Sequence, residues 1–248
     1  MNLTNTIQLG RCEDFYPKVE DESIDLIVTD PPYGVTACAW DKRPDIKLMW
    51  EQFNRIIKPN GAVVLTATQP FATDVINANR RYFRYDLVWV KNNAVGFLNA
   101  NRMPLRQHEL ILVFYKKLPL YHPQKVPGKR YVHKAGNHNT TIYNQICKTA
   151  SESSERYPTS VLHFSRDTGP GKKHPTQKPK AMFEWIIKSY SEKDSVVFDP
   201  YMGSGTTAVS AISTGRRFIG FEKDPGFYTL AMARIQAEVE SQKAMFAA

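Results

Sequence analysis

Two nearly continuous apolar runs, each closing on Asp-Pro, constrain this chain more than any other feature. Ile24–Thr29 (IDLIVT) leads into Asp30-Pro31-Pro32-Tyr33. Ser195–Phe198 (SVVF) leads into Asp199-Pro200-Tyr201-Met202-Gly203-Ser204-Gly205-Thr206-Thr207. Apolar runs of that length, bounded by turn residues, read as strands buried on both faces. Ala62–Thr66, Leu87–Val90, Leu110–Tyr115 and Phe218–Phe221 read the same way. Between them lie helical patterns. Ile46, Met49, Trp50, Phe53, Ile56 and Ile57 recur at helical spacing over Asp45–Ile57, and Pro59-Asn60-Gly61 is expected to end that helix. Further helices are expected over Phe71–Asn79, Lys180–Tyr190, from Thr206, and over Gly226–Lys243. Strands alternating with helices predict an α/β fold around a mainly parallel sheet covered on both faces. Ligands of such sheets bind beyond the carboxyl ends of the strands, which is where both Asp-Pro loops fall.

The second loop fits G-x-G-x-x-A from Gly203 to Ala208, between a strand and a helix. Glycines allow tight turns and close approach of backbone to a ligand. Glu222 ends the next strand, where a carboxylate can receive ribose hydroxyls. The pattern points to an adenosine-containing cofactor, with a purely structural turn as the alternative. GxxxxGK[ST] is absent, so the loop is not a P-loop. Asp199 just before the glycines would repel a pyrophosphate and attract an ammonium. S-adenosylmethionine (SAM), with its amino group and sulfonium, suits that better than NAD.

The first loop is stiff, since two prolines fix φ and remove two backbone donors. Asp30 offers a carboxylate, Pro31 a carbonyl and Tyr33 a planar ring. That set suits a planar amine: two acceptors for its N–H bonds and a face for stacking. A rigid turn after a strand is the plainer alternative. The two loops together make the functional reading the stronger one.

Charge separates one segment from the rest. The chain has 33 Lys+Arg against 24 Asp+Glu, a formal net charge of +9. Residues 116–180 hold 13 basic and 3 acidic residues, so the remainder is close to neutral. Tyr121, Tyr131, Tyr143, Tyr157 and Phe164 lie among these cations, and prolines and glycines break up any long periodicity. Basic residues interleaved with aromatics suit nucleic acid; a solvated loop or a patch for an acidic protein is the alternative. The segment reads as an irregular insertion outside the central sheet. Cys12, Cys38 and Cys147 are too few and too scattered for a disulfide framework or a zinc site, and no metal is expected. With no signal-like or membrane-spanning run, the expectation is a soluble cytoplasmic protein.

These motifs resemble the amino-methylating DNA methyltransferases. Asp30-Pro31-Pro32-Tyr33 resembles their catalytic tetrapeptide and Asp199–Thr207 their SAM loop. His174-Pro175-Thr176-Gln177-Lys178-Pro179, Arg106-Gln107-His108-Glu109, and Glu222 with Tyr228 and Ala231 resemble further family segments. With the tetrapeptide first and the SAM loop last, the order is similar to the permuted β class. The resemblance implies a Rossmann-like, mostly parallel, seven-stranded sheet, circularly permuted. It divides the chain into a catalytic half (1–115), a basic target-recognition insertion (116–173) and a SAM-binding half (174–248).

The roles that the resemblance implies follow. Asp30 and Pro31 accept the target amine and Tyr33 stacks on the flipped base, with Pro32 stiffening the loop. Asp199, Pro200, Gly203, Ser204, Gly205, Thr206 and Glu222 hold SAM. His174, Thr176, Gln177, Lys178 and Asp30 lie near its methionine end. Where relatives carry an acidic residue in a G-D-x pattern, this chain reads Gly10-Arg11-Cys12, so groups around Cys12 would receive the adenine. Lys125, Lys129, Arg130, Lys134, Lys172 and Lys173 would hold DNA. The implied activity is methylation of adenine N6 in duplex DNA, because Asp at the first motif position leans to adenine. Cytosine N4, protein glutamine and an inactive DNA-binding module are the alternatives. A homodimer and a cognate restriction endonuclease are partners compatible with the resemblance. No cysteine sits beside a proline, as C5-cytosine methylation would need. Trp40 reads as a packed loop anchor rather than a wedge, and His108-Glu109 as a structural hydrogen-bonded pair.

Overall fold

The computed structural model describes residues 3–36, 38, 41–133, 151–165 and 177–247. In chain order the elements are β1 (Thr6–Leu9), α1 (Cys12–Phe15), β2 (Ile24–Thr29), α2 (Ile46–Ile56), β3 (Ile57–Ala67), α3 (Phe71–Ala78), β4 (Phe83–Val95), β5 (Arg106–Tyr115), β6 (Val126–His133), β7 (Ser151–Arg156), β8 (Val161–His163), α4 (Lys180–Tyr190), β9 (Val196–Asp199), α5 (Thr206–Ser213), β10 (Arg217–Glu222) and α6 (Pro225–Ala247). They divide into two units, 1–122 with 160–248 and 123–159. No helix among the described residues is long and apolar enough to cross a membrane.

The larger unit is built on one sheet in the order β1-β10-β9-β2-β3-β5-β4-β8. From β1 to β3 neighbouring strands run parallel; β5 runs antiparallel to both β3 and β4. Seven strands make the expected mostly parallel sheet, and the eighth, β8, adds itself parallel to the outer side of β4. β8 lies inside the segment expected to stay outside the sheet. Only Leu162 of its three residues is buried, too little signal for a strand to be read from sequence.

Period-two side chains feed two cores. On β3, Val63, Leu65 and Ala67 face α2 and α3, packing with Met49, Trp50, Phe53, Phe71 and Val75. Ala62 and Val64 face the other way, toward Met182, Phe183, Ile186 and Ile187 of α4 and Ala208 of α5. Burial on both faces explains why these strands are continuous apolar runs. The Asp45 side chain caps α2 by accepting from Leu48 N at 3.1 Å. Pro59-Asn60-Gly61, expected to end the helix, lies inside a strand instead. α2 passes straight into β3, and these residues bulge between the pairs Ile24↔Ile57 and Leu26↔Ala62.

The smaller unit is an antiparallel hairpin, β6 with β7, in register Val126↔Arg156 to His133↔Ser151. It was hidden from sequence reading because Pro127 and Gly128 sit inside one strand and the other is SESSER, polar on both faces.

Candidate functional site

β2 pairs in parallel with β9, through Leu26↔Val197 and Ile27↔Phe198. Their carboxyl ends therefore lie side by side, and the two Asp-Pro loops open into one cavity of about 740 Å3. That is the size of a small-molecule site. Asp30, Pro31, Pro32 and Tyr33 line it together with Asp199, Pro200, Gly203, Ser204, Thr206 and Glu222. Cys12, Gln177 and Lys178 line it too. A hydrogen bond from Thr29 Oγ1 to Asp199 Oδ1 (2.6 Å) ties the two strand ends together.

On the glycine side, Asp199 is fully buried. It also accepts from Thr207 Oγ1 at 2.5 Å and from Tyr201 N at 3.0 Å. Burial pushes its carboxyl up to about 6, against the pull of those donors. Glu222 accepts Gly203 N through Oε2 (2.7 Å) and Asp224 N through Oε1 (2.8 Å). Burial raises its carboxyl as well. Gly203 adopts φ +53°, and a Cβ there would meet nothing nearer than Tyr201 O at 3.9 Å. Gly205 has a different duty: it turns away from the cavity, and an added Cβ would strike Ala231 of α6 at 2.9 Å. One glycine thus shapes the cavity wall and the other seats the turn on a helix.

On the tetrapeptide side a buried ionic network surrounds Asp30. Its Oδ1 accepts from Tyr33 Oη (2.7 Å) and Thr66 Oγ1 (2.5 Å), and Lys178 Nζ stands 2.8 Å away. Lys178 also reaches Glu109 Oε2 at 3.1 Å. Lys91, buried beside Trp89, pairs with the other oxygen of Glu109. Burial would raise the Glu109 carboxyl, but the Lys178 and Lys91 ammoniums outweigh it and hold it down to about 2. Burial likewise depresses the Lys178 ammonium, and Asp30 and Glu109 more than reverse that. The contacts of Asp30 with Tyr33, Thr66 and Lys178 all fall on the same oxygen.

The structure revises two site expectations and adds to a third. Glu109 does not pair with His108: neighbours on a strand face opposite ways, so His108 of β5 is exposed while Glu109 turns inward. Lys178, expected among the cofactor's contacts, lines the cavity and is in addition an ionic partner of Asp30. Tyr33 is 9% exposed, with the Phe71 ring at 5.5 Å between centroids and Lys178 Nζ 5.3 Å from the Tyr33 centroid, so its stacking face is covered. Glu109, Lys91, Thr66 and Thr29 were missed. Trp89↔Glu109 pairing brings Lys91 diagonally beside Glu109 on one face, a relation visible only once the β4–β5 register is known. Cys12 is buried and burial pushes its thiol up to about 11, so it is an inert wall.

In the smaller unit Arg130 is engaged by Glu152, and Lys125 lies 3.5 Å from Glu155 and over the Tyr157 ring. Lys129 is exposed, with no carboxylate partner among the described residues. Trp40, Lys134, Cys147, Lys172, Lys173, His174, Pro175 and Thr176 lie outside the described residues.

The sequence matches the DNA methylase family over residues 24–233, spanning both loops and the network between them. The chain belongs to the N6/N4 DNA methylase family. This methylase is 28% identical to the Type II methyltransferase M.BglII of Bacillus subtilis, over 94% of this chain and 69% of the relative. It is 27% identical to the Type II methyltransferase M.HinfI of Haemophilus influenzae, over 95% and 69%. Among solved structures, the M1.HpyAVI–SAM complex is similar with a TM-score of 0.63 and 24% identity, over 93% of this chain and 99% of that one. PvuII DNA methyltransferase, cytosine-N4-specific, gives 0.67 and 18%, over 92% and 85%. At these identities the structural likeness carries the fold. The methylase is SAM-dependent, as its family is. The cavity fits that cofactor on its own chemistry: a buried carboxylate for an ammonium, a second one for hydroxyls, and an open wall at Gly203.

Proposed function

We propose that this methylase transfers the methyl of SAM to the exocyclic N6 amine of adenine at a specific site in duplex DNA. The observation that carries this reading is the shared cavity, which Asp30 and the glycine turn line together. The first motif position is Asp, and the order of motifs is that of the permuted β class. Bound SAM supplies an electrophilic methyl on a sulfonium.

Asp30 and the Pro31 carbonyl accept the two N–H bonds of the target amine. Holding those hydrogens localises the nitrogen lone pair that otherwise delocalises into the base ring. The nitrogen forms its bond to the methyl carbon as the carbon–sulfur bond breaks, and one amine proton then leaves toward the Asp30 carboxylate. Lys178 holds Asp30 in place, and the anchored network keeps water from competing for its oxygen. A paired adenine cannot reach Asp30, so the base is extruded from the stack. Its entry requires the Tyr33 ring to swing off Asp30, which uncovers the ring for stacking. Asp199 attracts the SAM ammonium, Glu222 takes the ribose hydroxyls, and Glu13, beside Cys12, is the acid available on the adenine side. Lys129, Lys125 and Arg130 hold phosphates; the last two exchange exposed carboxylate partners for DNA at little cost. Double-stranded DNA is the partner, with a homodimer and a cognate endonuclease compatible with the reading, and a cytoplasmic site of action.

Methylating unmodified plasmid and digesting it to nucleosides tests the target. N6-methyladenine is expected by mass; N4-methylcytosine alone would overturn the adenine assignment. Transfer to protein instead of DNA would overturn the whole reading.

The Asp199 assignment has its own test. Its carboxyl takes up a proton in the folded chain as pH falls through about 6. Protonated, it no longer attracts an ammonium. SAM affinity measured by calorimetry is therefore expected to weaken about tenfold per pH unit below about 6. Asp199→Asn should bind weakly and without that slope. Affinity constant between pH 5 and 7.5 in the parent would remove Asp199 from the ammonium site.

A further inference from the structure

β4 and β5 form a hairpin whose base lines the cavity through Trp89, Lys91, Val95, Arg106 and Glu109. Its tip stands clear of the fold. Gly96 starts the tip at φ +94°, and a Cβ there would meet nothing within 4 Å. A 3-10 turn follows over Phe97–Asn99. The tip is a formed turn: Asn99 N donates to Gly96 O at 2.9 Å, and Arg102 N and Met103 N donate to Asn99 O at 2.8 and 3.0 Å.

What this turn displays is apolar. Phe97 is 70% exposed, Leu98 101% and Met103 58%. Three large apolar side chains crowded on one projecting turn are costly to leave in water and mark a contact surface. The surrounding charge says what kind. Between Lys91 and Glu109 the sequence holds Arg102 and Arg106 and no acidic residue, with Asn92, Asn93, Asn99 and Asn101 beside them. Cations suit phosphates and asparagine amides suit base edges, whereas a second copy would bring cations against cations.

We propose that this hairpin tip is a wedge for duplex DNA. Phe97 and Leu98 enter the stack at the target step and fill the gap that the extruded base leaves, while Arg102 and Arg106 grip the flanking phosphates. The inference rests on the reading of the cavity as the pocket for a flipped base. Its physical basis is that a vacated position exposes the apolar faces of the neighbouring bases. An inserted apolar side chain covers them and offsets part of the unstacking cost.

The test compares two DNA substrates once the modified site has been mapped by sequencing of methylated DNA. One is a fully paired duplex. The other is the same duplex with the target base facing an abasic position, so that extrusion is already easy. For Phe97→Ala/Leu98→Ala, kcat/KM is expected to fall about 10- to 100-fold on the paired duplex, the size of a partial loss of the unstacking compensation. On the abasic substrate it should stay within about threefold of the parent, and SAM affinity should not change. Parental rates on the paired duplex would overturn the wedge. So would an equal loss on both substrates, or a dimer that the double variant dissociates while its substrate preference stays parental. Failure of the parent chain itself to methylate either DNA would be a different result: it would remove the DNA reading and the wedge with it.

Discussion

Asp30→Ala is expected to lower methyl transfer by about 100- to 1000-fold or more while leaving DNA binding intact. Removal of a single group that meets charge developing at the reacting atom has effects of this size. The expectation is this large because the proposed geometry gives the amine Asp30 as its side-chain acceptor, and Pro31 O alone can hold only one of two hydrogens. Asp30→Asn keeps the shape and one acceptor oxygen but loses the negative charge, and should fall between the parent and Ala. Filter binding and tritium transfer from labelled SAM separate the two properties. Methylation retained in Asp30→Ala would refute the assigned role.

Lys178→Met should be the most destabilising single change at the site, by up to about 3–5 kcal/mol, because it takes the ammonium from Asp30 and leaves Glu109 with Lys91 alone. Its pH dependence is the sharper signature. In the parent, Glu109 is held at about 2, below its ordinary value. A carboxylate depressed by folding contributes stability that is fully present above about 4.5 and lost as pH falls toward 2. Without Lys178, Glu109 loses the larger of the two ammonium pulls that hold it down, and burial raises it from its parental value. It then contributes less stability above about 4.5, so the deficit of the variant against the parent should be widest near neutral pH and narrow as pH falls from about 4.5 toward 2. Denaturant midpoints measured across that range check the sign, and Lys178→Arg, which keeps the charge, should follow the parent. A Lys178→Met protein as stable as the parent, with the same pH slope, would show that Lys178 is not the keystone of the network.

How much of this could be read from residues alone depended on distance along the chain. Ile24–Thr29, Ala62–Thr66 and the α2 stripe were readable because burial of both strand faces, or of one helix face, writes itself into local periodicity. The two loops were readable because prolines and glycines announce special backbone. β1, β8 and the β6–β7 hairpin were not, being short or polar on both faces. At the site, Asp30, Tyr33, Asp199 and Glu222 stood out as residue types after strands, and the cavity unites them. What sequence could not supply was pairing. Residue type alone sets Glu109 beside its neighbour His108, whereas strand geometry turns it toward Lys178 and Lys91. Nor does residue type reveal that Phe71 and Lys178 cover the Tyr33 ring, or that Gly205 packs on Ala231.

The union of β2 with β9 also has a consequence during synthesis. Thr29 and Asp199, joined by a hydrogen bond, are 170 positions apart. A growing chain displays β2, buried along nearly its whole length in the finished fold, with one flank unpaired until residues 196–199 emerge from the ribosome. Such a flank is a template for unwanted pairing with other nascent chains, and closing so long a loop is slow. Truncated products ending before β9 should therefore carry the tetrapeptide yet aggregate and lack activity.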